Sequence, residues 1–356
     1  MINQTLLDFL CEETSWEDLG NEKLLHELPE FGESVGNAIN TGTLLAFTIE
    51  LSGLLEKMDL YKASLLSTLI GFACEKEQDT SAGRGIIALF ARSCKKVYEL
   101  FARPEDEEEE LPDSRQEMFE QNPDQARAYE GFNILCVSTM AFLTRDAALR
   151  SYLAEFAIEN EITYLSEETD DSPYLRSIHY VNQMLAMCSD YPLLVLHPQK
   201  KTGFLATAND VSNCFHLLFL LEEQIYQTLG AAYGMQEFQA SESLTRLAHG
   251  EYPQDCWDQS YTTHFIEYNY GTAFEKTFSN QMVNYLIWGE MPPAAIPQLD
   301  GRAVIVLFEN GPSRSFSAQF LAVPHEALHP YVTIERELTE AEYLDWMQKI
   351  QKRIAD

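Results

Sequence analysis

Leu193-Leu-Val-Leu-His197, the break Pro198-Gln-Lys-Lys-Thr202 and Gly203-Phe-Leu-Ala-Thr207 mark the point at which this chain changes character. Two short apolar runs around a proline-bearing turn read as a pair of strands, because each is too short for a helix and neither shows helical spacing. On the N-terminal side the apolar residues keep a helical period: Leu6, Phe9 and Leu10, then Leu44, Leu45, Phe47, Ile49 and Leu51, then Leu60, Leu65, Leu66 and Leu69. Breaks fall at Pro29 to Gly36, at Met58-Asp59, at Glu77 to Gly83, at Pro104 to Pro112 and near Ser172-Pro173. Asn122-Pro123-Asp124 sets a proline in the first turn of a further helix. The expectation is a bundle of about seven or eight helices. No residue pattern recurs at a fixed period, which argues against a solenoid.

On the C-terminal side, Asn209-Asp210 is the expected cap of a long helix from Val211 to Leu229, apolar on much of its circumference. Further strand candidates are Tyr261 to Tyr268, Ala303 to Phe308, Ser315 to Val323 and Tyr331 to Ile334, with turn chemistry at Phe308-Glu-Asn-Gly-Pro312. Thr339-Glu-Ala-Glu342 is a capping box, and the amphipathic helix it opens ends on Lys349, Lys352 and Arg353 as the helix dipole favours. The predicted fold is therefore mainly α with an α+β C-terminal part. An acidic all-helical region, 1–190, precedes an α+β region, 191–356, in which helices pack on a small, mostly antiparallel sheet.

The chain has 356 residues, enough for one large or two ordinary domains, and 46% of them are apolar. Its charge is unusual: 56 Asp and Glu oppose 24 Lys and Arg, a formal net charge of −32. Residues 1–190 hold 36 acids and 14 bases, residues 191–356 hold 20 and 10. Such a surface repels phosphate, so nucleic acid and anionic membrane are excluded as direct partners. The seven cysteines, Cys11, Cys74, Cys94, Cys136, Cys188, Cys214 and Cys256, are odd in number and widely spaced, which reads as buried free thiols in a reducing compartment. Met1 to Asp8 lacks the basic start of a secretory signal. The apolar runs near Thr43 to Leu55 and Cys214 to Leu221 fall short of the roughly 18 residues of a membrane span. The expected location is the cytoplasm.

Motifs for chemistry are few. His325-Glu326-Ala327-Leu328-His329 satisfies H-E-x-x-H, in which two imidazoles one helical turn apart hold zinc and the glutamate acts as base. A metal-dependent hydrolase built on it is the alternative reading. The motif is flanked by Pro324 and Pro330, however, and Pro330 pushes His329 away from helical geometry, so a turn between two strands is expected. No G-x-S-x-G elbow and no Cys-x-x-Cys is present. His216, inside Cys214-Phe-His-Leu-Leu-Phe, reads as a packing histidine, and Ser81-Ala-Gly83-Arg-Gly85 reads as a helix start, with no Gly-Lys-Ser/Thr after it. No catalytic residue, metal ligand or cofactor is assigned.

Acid runs are the remaining signal. Glu105, Asp106, Glu107, Glu108, Glu109 and Glu110 are consecutive, and Glu167, Glu168, Asp170 and Asp171 cluster later. The first run lacks the alternating Asn, Ser and Gly that bend an EF-hand loop, so calcium is not expected. As a surface it would steer a basic protein, raising association rates by about 10 to 10³ at low salt. These ten residues are the predicted partner contacts. Trp16, Tyr164, Tyr174 and Trp257, each near acids, are the candidate anchors. In charge and in lacking a catalytic motif, the chain resembles the acidic immunity proteins with which bacteria neutralise antibacterial toxins. That resemblance implies a partner that is a basic, nuclease-type toxin domain, and an inhibitor that covers the toxin's substrate face by mimicking phosphate. A non-catalytic acidic scaffold is the third reading.

Overall fold

The computed structural model of the protein describes residues 2, 4–102, 114–167, 172, 174–273, 286–309 and 314–355. The chain is mainly α with an α+β C-terminal part, and it divides into two compact units, Met1–Leu185 and Ala186–Asp356.

The first unit holds ten α-helices among the described residues: α1 (Gln4–Cys11), α2 (Pro29–Asn40), α3 (Leu44–Ser52), α4 (Leu60–Glu77), α5 (Gly83–Phe101), α6 (Arg115–Gln121), α7 (Pro123–Leu143), α8 (Ala147–Ala154), α9 (Glu159–Glu167) and α10 (Ile178–Leu185). This exceeds the expected seven or eight. The stretch from Pro29 to Gly36 is no break: Pro29 starts α2, where its missing N–H costs nothing. Asp59 caps α4 by accepting from the amides of Tyr61 and Lys62, both at 3.0 Å. Asn122 caps α7 by accepting from Gln125 N at 3.2 Å, with Pro123 in the first turn. Gly83 opens α5, as the Ser81 to Gly85 segment suggests.

Helix α7 is central, with α4 and α5 packed along it. Phe132 of α7 stacks on Phe90 of α5 with ring centroids 5.8 Å apart, and both are fully buried. Helices α4 and α7 approach closely through small residues. A Cβ on Gly131 would lie 2.5 Å from Ser64 Cβ, and one on Gly71 would lie 3.4 Å from Ser138 Cα.

In the second unit the strands are β1 (Tyr191–His197), β2 (Thr202–Asn209), β3 (Ser260–Thr262), β4 (Ile266–Asn269), β5 (Gln298–Leu299), β6 (Arg302–Phe308), β7 (Ser315–Ser317) and β8 (Tyr331–Glu337). The helices are α11 (Cys214–Thr228), α12 (Glu242–Ala248), α13 (Tyr270–Ala273) and α14 (Glu340–Ala355). The main sheet runs β4-β6-β1-β2-β8, with β5 on β6; among the described residues only β1 and β6 pair in parallel. Leu193 and Val195 point into a core shared with Leu217 and Leu221 of α11, while Leu194 and Leu196 point to the opposite face, where Tyr343 and Ile350 of α14 pack. Burial on both faces explains the unbroken apolar run of β1.

Four local expectations need correction. Asn213, not Asn209-Asp210, caps α11, accepting from His216 N at 2.9 Å; Asp210 has a left-handed backbone, φ 53°. Tyr261 to Tyr268 is two strands in two sheets, because β3 pairs with β7 and β4 with β6. Ser315 to Val323 is a strand only to Ser317, and a 3-10 turn follows over Ala318–Leu321. Cys11 is exposed, although the other six free cysteines are buried. The capping box at Thr339 forms as read: Thr339 N donates to Glu342 Oε2 at 2.9 Å and Glu342 N to Thr339 Oγ1 at 3.3 Å. Among the described residues, no helix is long and apolar enough to cross a membrane.

Candidate functional site

Glu105 to Glu110, Glu168, Asp170 and Asp171 lie outside the described residues, as do residues 310–312 of the expected turn. Glu167 is the exposed last residue of α9. Of the four candidate anchors, three are committed inside the first unit. Trp16 packs against Phe119 at 6.2 Å. The Tyr164 hydroxyl donates to Phe101 O at 3.2 Å. Tyr174 lies 4.7 Å from Tyr129. Trp257, in the second unit, is 45% exposed. Trp16, Tyr164 and Tyr174 are half-buried, each with part of its surface taken up by these contacts within the unit.

The His325 to His329 segment is a turn before β8. Ala327 N donates to His325 Nδ1 at 3.0 Å, and His329 N donates to Asp210 Oδ2 at 3.2 Å, so the two imidazoles do not share a helix face. Among the described residues, no group of three or more His, Cys, Asp or Glu side chains is placed to hold a metal. His216 is fully enclosed, with Nε2 2.7 Å from Ala248 O. Burial pulls its pKa down to about 4, which keeps the ring neutral.

The second unit carries a buried polar network that joins α11 to the smaller sheet. Glu222 accepts from the amides of His264 and Phe265 at 2.8 and 2.9 Å and from the Tyr261 hydroxyl at 2.7 Å. Its neighbour Glu223 meets His249 Nε2 at 2.8 Å. Glu222 Oε2 also lies 3.4 Å from His264 Nδ1, and these side-chain hydrogen bonds to Glu222 and Glu223 raise the pKa values of His264 and His249 against the opposing effect of burial. Glu267 of β4 is wholly buried and 3.4 Å from Arg314 Nη1. Burial, reinforced by Glu222, holds its carboxyl well above the usual carboxylate range, and Arg314 offsets only part of that. The network's two α11 carboxylates are thus spent on the fold: they satisfy backbone amides, a phenol and two imidazoles.

An apolar cleft lies in the first unit. Helix α4 is apolar on more than one side: Leu66, Ile70, Ala73 and Cys74 enter the core, while Leu65, Leu69 and Phe72 form a second stripe at i, i+4, i+7. On α7, Ile134 and Val137 continue it, and on α2 Phe31 and Val35 form the opposite wall. Together with Leu25 they line a cleft of about 600 Å³, whose polar lining is Glu22, His26, Thr68, Asn133 and Ser138. The small residues that draw α4 and α7 together leave Phe72 and Val137 standing beside the crossing, 54% and 58% exposed. Large apolar side chains gathered in one cleft mark an interaction site more specifically than isolated exposed residues do. The sequence signal was present in the surplus of apolar residues on α4, but Leu65 and Leu69 read equally well as core.

No protein family, curated protein or solved structure matches this chain.

Proposed function

We propose that this protein is a non-enzymatic binding protein that neutralises a basic protein partner, acting in the cytoplasm as an immunity protein against a nuclease-type bacterial toxin. The observation that carries the reading is an apolar cleft, with Phe72 and Val137 exposed, set into a unit rich in carboxylates. Anchors in a cleft supply affinity, and the surrounding field supplies encounter rate and selects against acidic partners. Glu105 to Glu110 and the Glu167 to Asp171 cluster are the proposed steering elements.

The test is co-purification of the tagged full chain from its native host across a salt series, followed by association kinetics with the recovered protein. A basic partner at one-to-one stoichiometry is expected, with an association rate that falls as salt rises. Reversing Glu107, Glu108, Glu109 and Glu110 together to Lys is expected to slow association and flatten its salt dependence. A partner that is acidic, or a rate indifferent to salt, would overturn the reading. Unchanged kinetics in the reversed variant would remove the Glu105 to Glu110 run from the interface.

A further inference from the structure

We infer that the cleft between α2, α4 and α7 receives a cationic amphipathic helix of the partner, an inference that rests on the binding reading above and specifies what fills the site. Its walls are helix stripes. Leu65, Leu69 and Phe72 repeat at the spacing with which one helix faces another, and Ile134 with Val137, and Phe31 with Val35, add shorter stripes at i+3 and i+4. The α4 stripe covers roughly two helical turns, about 10 Å of axis. An occupant with apolar residues at i, i+3 or i+4, and i+7 matches that surface, as in other helix-in-groove complexes.

Charge decides what flanks those apolar positions. The segment 22–40, which forms one wall, holds Glu22, Glu27, Glu30 and Glu33 against Lys23 alone. Helix α7 has no Lys or Arg beyond Arg127. A helix with Lys or Arg beside its apolar stripe therefore gains on the Glu22 side of the cleft and meets no Lys or Arg in the lining, and one bordered by carboxylates is repelled. A second copy of this chain is disfavoured by the same field, since each copy carries a net charge of −32.

The probe is a synthetic 18-residue peptide of Leu and Lys with Leu at helical spacing, titrated into the full chain by fluorescence anisotropy. Hydrogen exchange is followed over α4 and α7. Saturable one-to-one binding with slowed exchange in both helices is expected. Replacing Phe72→Ala and Val137→Ala together is expected to weaken it by about tenfold or more. Both side chains are more than half exposed, so the variant should keep the parent's melting temperature, which is measured alongside. A peptide of the same composition without the stripe should bind at least tenfold more weakly. Equal binding of the two peptides, or indifference to the double substitution, would overturn the inference, because charge alone would then hold the peptide. Failure of the peptide to bind at low salt would also overturn it. So would protection of α4 and α7 that rises with protein concentration without peptide, in step with dimer formation, because a second copy would then fill the cleft. None of these outcomes bears on whether the native partner is basic, which the co-purification decides separately.

Discussion

His216 and His249 respond to acid in opposite senses, although one belongs to α11 and the other is hydrogen-bonded to it. His216 is buried and neutral, with a pKa near 4 in the folded chain against about 6.5 unfolded. As pH falls from about 6.5 to about 4, the unfolded chain takes up a proton that the folded chain refuses. Stability is therefore lost over that window, by up to roughly 3 kcal/mol at its lower end. His249 and His264, hydrogen-bonded to Glu223 and Glu222, have raised values. Their contribution is complete below about 6.5 and is lost as pH rises through the folded values. Replacing His216→Gln, which keeps a donor for Ala248 O, is expected to shrink the acid-side loss between pH 6.5 and 4. Denaturant unfolding of parent and variant across that range measures it; parallel curves would show that His216 is not the group responsible. The sequence marked His216 as a packing residue because its neighbours are apolar. It gave no sign of Ala248 as its acceptor, 32 residues away.

At the scale of elements, the contact that shapes the cleft is the crossing of α4 and α7, where glycine and serine replace the larger residues of most helix pairs. Gly131→Ala would place a methyl group 2.5 Å from Ser64 Cβ and 2.7 Å from Ser64 Oγ, on a side chain whose hydroxyl is already held by Leu60 O at 2.8 Å. Overpacking of this kind costs about 1–3 kcal/mol. Chemical denaturation of the variant is expected to show that loss, and unchanged stability would mean that the helices part without cost. Helix type, the proline in the first turn of α7, the capping box of α14 and the β1–β2 hairpin were legible because they follow from local periodicity and local donor–acceptor chemistry. The split of Tyr261 to Tyr268 into β3 and β4 was not, because which sheet a strand joins depends on partners from Ile305 to Ser317. The α11 cap was misplaced by a few residues for a similar reason. Asp210, at φ 53°, is a turn residue whose carboxylate accepts from His329 N, leaving Asn213 to begin the helix.

For the whole molecule, 56 acids against 24 bases mean that the folded state works against its own charge at neutral pH. Moderate salt screens that repulsion, so the melting temperature at pH 7 is expected to be higher in 0.3 M than in 0.02 M sodium chloride, because the Debye length shortens from roughly 20 Å to roughly 6 Å. A melting temperature that falls with salt would show that specific ion pairs, such as Arg127 with Asp59, Glu13 and Asp124, outweigh the general repulsion. The sequence by itself determined the fold class, the helical and α+β character of the two parts, and the strongly negative charge, because composition and short-range periodicity are properties of consecutive residues. Only the tertiary structure decided which aromatics are free and which acids are spent. It buried Glu222, Glu223 and Glu267, set Trp16, Tyr164 and Tyr174 against Phe119, Phe101 and Tyr129, and brought Phe31, Leu65, Phe72 and Val137 from three helices to one cleft. A binding surface of that kind is an arrangement of distant residues, and local spacing carries no record of which helices will lie side by side.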